Sequence, residues 1–261
     1  MNDDSRALAE NYGYSVSDYA AQEPRPAAPE ARPAALGVAP PIPDYLQDTY
    51  WWAYLHPKAL HFFEREWVVN LILWGNMRRL TRAVLDEMNV QPSSRVLQVA
   101  CVYGDFTAKL AQHLDRGTRL DVVDVAPVQL ENLRRKIGTQ AGVSLHHQDS
   151  ANLAFADGSY DCVIVFFLLH EQPAHARIRT IREALRVTRR GGKLVIVDYH
   201  QPAWLSPFRY IMLPVLKVLE PYALDMWFTE IASWLPVHAK PSRVEKNVYF
   251  GGLYQKVVVT L

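Results

Sequence analysis

In the middle of the chain, short unbroken apolar runs alternate with stretches of helical spacing. Val96, Leu97, Val99 and Ala100 form the first run, with no charge inside it. Such a run fits a parallel strand covered on both faces. Tyr103-Gly104-Asp105 interrupts it, and helical spacing follows from Thr107 to Leu114. Leu120–Asp124 predicts a second strand, Pro127–Lys136 a helix and Val143–His147 a third strand. Tyr160–Phe167 predicts a central strand with Leu168–Glu171 at its C-terminal end. Ala174–Thr188 predicts a helix, Arg189–Gly192 a turn and Lys193–His200 the next strand. This alternation predicts an α/β, Rossmann-like fold with a doubly wound sheet. A strand that enters a helix through a tight turn, as at residues 95–106, is where open α/β sheets bind nucleotides.

The flanks follow other patterns. Residues 1–43 are rich in Pro and Ala and predict a disordered arm, because they cannot bury enough apolar surface to offset ordering entropy. Residues 44–90 crowd aromatic side chains, among them Tyr45, Tyr50, Trp51, Trp52, Phe63 and Trp67. They predict a lid segment and one helix from Trp67 to Met88, with an aromatic wall over a pocket or against a lipid headgroup region. Residues 91–200 form the α/β core. Residues 201–243 are an apolar insertion carrying Trp204, Trp227 and Trp234. Prolines and charges keep any run there below the ~20 apolar residues of a membrane-spanning helix. The insertion predicts a helical lid, an interfacial membrane segment or an oligomer interface. Residues 244–261 predict two strands around Gly251-Gly252.

Composition narrows the classes. A net charge of +1 gives no reason to expect nucleic acid. Two cysteines, both in or beside core strands, argue against a disulfide framework and for a reducing compartment. Met-Asn-Asp-Asp at the start shows no secretory pattern, so a cytoplasmic setting is expected.

Candidate chemistry sits at the strand ends. Asp124 closes the second strand about twenty residues after the turn, where an acidic side chain bonds ribose hydroxyls. It also suits the N-cap of the following helix. His170-Glu171 and Asp198-Tyr199-His200 end two neighbouring strands. Their imidazoles and carboxylates suit Mn²⁺ or Mg²⁺, or general-base work by Glu171 or a histidine. Tyr103 lies in the turn itself, and His238 at the end of the insertion is a further candidate. Cys101 reads as a small buried residue.

The order of these motifs resembles the class I S-adenosylmethionine-dependent methyltransferases over residues 67–261. The positions matching that family's cofactor contacts are Gln98, Ala100, Gly104, Asp124, Val125, Asp149 and Ser150, with Arg190-Gly-Gly192 as the turn before the fifth strand. The final hairpin resembles the antiparallel pair of that fold. Gln98 replaces the usual acidic residue, and Ala100-Cys-Val-Tyr-Gly104 replaces most of the glycines. The string from Val96 to Thr107 resembles the signature of the rhodoquinone biosynthesis family (RquA), as do Phe166–Glu171 and Asp198–His200. That resemblance implies conversion of ubiquinone to rhodoquinone, a ring methoxy group giving way to an amino group from S-adenosylmethionine. It also implies a divalent metal, manganese preferred, for which His170, Glu171, Asp198 and His200 are the expected ligands. His170, Glu171 and Tyr103 are the expected catalytic groups, and the expected setting is the inner face of a bacterial inner membrane. A quinone or small-aromatic methyltransferase, and a non-catalytic scaffold of a quinone-biosynthesis complex, are the competing readings.

Overall fold

The computed structural model describes residues 40–51, 62–88, 93–115, 117–138 and 142–261. The arm expected at 1–43 lies almost wholly outside them, as do Trp52 and Tyr54. The elements in chain order are α1 (Asp44–Thr49), α2 (Glu66–Ile72), α3 (Met77–Leu85), β1 (Arg95–Val99), α4 (Phe106–His113), β2 (Arg119–Asp124) and α5 (Pro127–Ile137). Then come β3 (Val143–His147), β4 (Tyr160–Phe166), α6 (Ala174–Val187), β5 (Thr188–Tyr199), α7 (Pro207–Leu219), α8 (Asp225–Phe228), β6 (Arg243–Tyr249) and β7 (Tyr254–Thr260).

The seven strands form one sheet in the order β3-β2-β1-β4-β5-β7-β6. Five run parallel, and β7 pairs antiparallel with both β5 and β6. This is the α/β Rossmann-like methyltransferase fold. Val96, Leu97 and Val99 of β1 and Val163, Ile164 and Val165 of β4 are fully buried, as their apolar runs require. Phe106 at the start of α4 stacks on Phe166 at the end of β4, with centroids 4.1 Å apart. That contact fixes the turn after β1 against the neighbouring strand end.

Three local expectations are corrected. The single helix from Trp67 to Met88 is two helices, broken where Trp74 (φ 51°) and Gly75 (φ 77°) turn left-handed. Leu168–Glu171 does not continue the strand, because Leu169–Glu171 coil into a 3-10 turn after Phe167 at φ 52°. Arg189–Gly192 is a wide bulge inside β5: Tyr160 pairs with Thr188, but Cys162 already pairs with Lys193. The insertion places α7 against the α2–α3 corner. Trp74 Nε1 donates to Met212 Sδ at 3.2 Å, and the Trp74 ring meets Phe208 at 5.1 Å.

Candidate active site

A cavity opens beyond the C-terminal ends of β1, β2 and β4. The β1 turn gives it Ala100 and Tyr103, the β2 end Asp124 and Val125, the loop after β3 Ser150, and the 3-10 turn His170 and Glu171. Six of these seven residues sit in backbone immediately after a strand, where side chains leave the sheet and face the crevice. Gln98, Gly104, Asp149, Asp198, His200 and His238 do not line it. Tyr45 and Phe63, from the expected aromatic segment, also line it. So do Gln129 of α5 and Glu220 just after α7, for which the sequence carried no signal.

The turn after β1 is held from inside. Ala100 adopts φ 72°, the left-handed region that favours glycine. Its carbonyl accepts a hydrogen bond from Gln98 Nε2 at 2.9 Å, and Gln98 is fully buried. An acidic side chain at position 98 has no proton for that carbonyl, which gives the substitution a physical reason. Glu64 reaches in from the N-terminal segment. It accepts from Gly104 N at 2.9 Å and Lys136 Nζ at 2.6 Å, and pairs with Asn132.

Asp124 accepts from Cys101 N at 2.7 Å on Oδ2 and from Ala126 N at 2.8 Å on Oδ1. Each oxygen keeps a lone pair, so ribose hydroxyls fit there without displacing the backbone bonds. Burial pushes the Asp124 pKa up, partly offset by those two N–H groups. Burial, with Asp124 alongside, raises the Cys101 thiol well above its usual value, so the sulfur stays protonated and is no nucleophile. Ser150 Oγ accepts from Gln172 Nε2 at 3.0 Å and pairs with Thr180. Asp149 turns away to cap Ala151 N at 2.8 Å. Burial also raises the Tyr103 phenol, which stays protonated and accepts from Gln129 Nε2 at 3.0 Å.

His170 is the cation of the cavity. Its Nδ1 meets Asp198 Oδ1 at 2.9 Å, and its Nε2 lies 3.7 Å from Glu171 Oε1. Burial works against the charge. Asp198 outweighs it, helped by Glu171 and Glu220, and the pKa rises to about 9. Near neutral pH this imidazole is therefore charged, a donor on both nitrogens and not a base. Glu220 is the opposite case: burial raises its pKa, eased by His170 and by the nearby Tyr50 hydroxyl.

The structure does not gather the four expected metal ligands into one cluster. Asp198 is fully buried. It is spent on Leu169 N at 2.9 Å, Tyr199 N at 2.7 Å and the His170 ring. His200 Nδ1 donates to Gly252 O at 2.7 Å, away from the cavity. Among the described residues no three His, Cys, Asp or Glu side chains converge as a metal ion needs.

A seven-stranded sheet with its antiparallel pair, and a cavity at the β1 turn closed by an acid after β2, define a class. The chain belongs to the class I S-adenosylmethionine-dependent methyltransferase family. The methyltransferase domain model matches residues 96–192. The demethylmenaquinone methyltransferase of Beutenbergia cavernae is 32% identical over 179 residues, 64% of this chain and 70% of that protein. The Staphylococcus saprophyticus enzyme of the same name is 31% identical over 133 residues, 51% of this chain and 56% of its own length. Among solved structures, the PH0226 protein from Pyrococcus horikoshii aligns with a TM-score of 0.55 at 15% identity, over 84% of this chain and 99% of that one. The N-methyltransferase NodS from Bradyrhizobium japonicum gives 0.51 at 16% identity, over 70% and 94%. The structural likenesses carry the fold alone.

Proposed function

We propose that this protein is an S-adenosylmethionine-dependent transferase acting on the ring of a lipid quinone, and that it transfers an amino group. Ubiquinone would be the substrate and rhodoquinone the product, an amino group replacing a ring methoxy group. One observation carries this reading: a single cavity holds a charged imidazole, His170, beside two carboxylates, Glu171 and Glu220. Replacing methoxy by amino forms a ring carbon–nitrogen bond and releases methanol, so the nitrogen loses protons and the departing oxygen gains one; the donor's Cα–N bond would then break by elimination, a proton leaving Cβ and one returning to nitrogen. His170 supplies the acid. Glu220, whose pKa burial raises, supplies a base, and Glu171 a second. The same carboxylates attract the sulfonium and ammonium of the co-substrate. Asp124 holds its ribose, and Ala100, Val125 and Ser150 line the space around it. No step here runs through the divalent metal that the resemblance implies.

Methyl transfer to a quinone ring is the second reading. The likeness to demethylmenaquinone methyltransferases favours it, and Glu171 or Glu220 would take the ring proton.

The test is mass spectrometry of the quinone after incubation of the full chain with ubiquinone and S-adenosylmethionine, with and without Mn²⁺. Exchange of methoxy for amino supports amination. A gained methyl group supports the second reading. An unchanged quinone in both conditions, with no binding of the co-substrate, overturns both and leaves the scaffold.

A further inference from the structure

α7 is apolar on its outward face as well as its inner one. Its buried positions are Arg209, Met212 and Leu216. Its outward positions are mostly apolar: Val218 is 77% exposed, and Tyr210 62%. A surface helix in water normally shows the reverse. The preceding turn adds Trp204 and Leu205, at 66% and 75%. The patch continues across the Trp74–Met212 and Trp74–Phe208 contacts onto α2, where Leu71 is 69% exposed. A contiguous apolar face of this kind marks an interaction surface.

Charge selects the occupant. Residues 67–85 and 201–219 contain no Asp or Glu, although the whole chain has 27 acidic against 28 basic residues, and Glu66 at the start of α2 pairs with Arg78 at 3.7 Å. Arg78, Arg79, Arg82 and Lys217 are all exposed on these two segments. We propose that this face docks on an anionic lipid bilayer, with α7 lying in the interface and the cations meeting the headgroups. Among the described residues no helix is long and apolar enough to cross a membrane. An apolar face flanked by Lys and Arg, with tryptophan at the rim, suits shallow insertion. A two-fold contact between copies would set Arg79, Arg82 and Lys217 against their own copies, with Glu66 at the rim already paired with Arg78 at 3.7 Å.

The cavity opens onto the same face. Ile72 is 46% exposed and also lines the cavity, as do Val69 and Leu73 beside it. Resting on the lipid-quinone reading, the docked protein takes the quinone ring directly from the bilayer while the tail stays among the acyl chains.

The test is co-sedimentation of the full chain with vesicles of phosphatidylcholine plus phosphatidylglycerol, against phosphatidylcholine alone. No quinone or co-substrate is present, so the result is independent of the chemistry. Wild type is expected to pellet with the mixed vesicles and to be released by salt. The double variant Ile211→Glu/Val218→Glu is expected to lose about tenfold or more in partitioning. Lys217→Gln should lose about fivefold. Val244→Glu, at the far end of the edge strand, should lose nothing. An unchanged thermal midpoint shows that each variant folds. Both wild type and the double variant should turn over a short-chain, water-soluble quinone equally, while only wild type should turn over a long-chain quinone in vesicles. Wild type staying in the supernatant with mixed vesicles overturns the proposal, as does a double variant that pellets fully. A wild-type dimer in light scattering that the double variant abolishes would assign the face to a second copy and overturn it too.

Discussion

The charge on His170 makes a prediction about stability that can be worked through. Its folded pKa of about 9 lies above the reference value of 6.5, with Asp198 the largest cause after the opposing effect of burial. Protonation therefore favours the folded state. The contribution is complete below pH 6.5 and fades as pH rises through 9. The distance from 6.5 to about 9 corresponds to about 3 kcal/mol, at about 1.4 kcal/mol per pH unit. Asp198→Asn removes the anion that sustains it. It also costs something at every pH, because the amide must face backbone N–H groups that both carboxylate oxygens now accept. The readout is therefore the change with pH, not the absolute loss. Denaturant unfolding of both proteins between pH 6 and pH 9.5, analysed at constant slope, should show the stability gap narrowing by about 2–3 kcal/mol. A gap that stays constant across that range refutes the imidazolium assignment, and with it the role of His170 as acid.

Three further predictions follow from the turn and from the support of the cavity. Ala100→Gly relieves a left-handed backbone that costs an alanine about 1–2 kcal/mol. Part of the gain is returned through the freer unfolded chain, leaving about 0.5–1 kcal/mol of stabilisation, or about 2–4 °C in thermal midpoint. Gln98→Glu places a carboxylate against the Ala100 carbonyl and should cost about 2–4 kcal/mol at pH 7. The buried acid would take up a proton, so the loss should shrink as pH falls toward 5, which unfolding at the two pH values checks. Arg177→Met removes a fully buried guanidinium that holds Asp225 and the carbonyls of Leu169, Gln172 and Tyr222. Leaving that carboxylate unpaired should cost about 3–5 kcal/mol in chemical denaturation.

The sheet was legible because its parallel strands are buried on both faces and read as unbroken apolar runs. β1 and β2 match expectation to within a residue or two for that reason, and β3, a half-exposed edge strand, was bounded instead by its flanking polar residues. The break between α2 and α3 was not legible, because apolar spacing continues through it. Val68 and Val69 before the break and Met77 and Leu80 after it all pack inward. Only Gly75 marked the corner, and Trp74, an unexpected residue at φ 51°, shares the turn with it. The bulge in β5 escaped for a related reason. Arg189–Gly192 has turn composition, yet the chain rejoins the same strand pairing instead of leaving it.

The candidate site divides along the same line. Tyr103, Asp124, His170 and Glu171 were readable because topology delivers strand ends to the crevice, while Ala100, Val125 and Ser150 came from the family resemblance. Asp198 and His200 also follow a strand, but their side chains are taken by backbone groups that no spacing rule reveals. Asp198 faces the N–H groups of a 3-10 turn that sequence reading took for extended chain. Once that turn coils, its N–H groups have no strand partner, and the buried carboxylate next door is the acceptor within reach. The same event converts His170 from an expected ligand or base into an acid, because the anion that satisfies the turn also holds the imidazole proton. The altered β1 turn follows a parallel logic. Gln98 and Ala100 read as two separate losses from a glycine-rich pattern. In the fold they are one device, a side-chain amide pinning the carbonyl of a residue held left-handed. A turn pinned in this way gives up the freedom that glycines confer and gains a fixed wall for the cavity. That trade suits a site that must hold its reactants against charged groups on the far side, at His170 and Glu220.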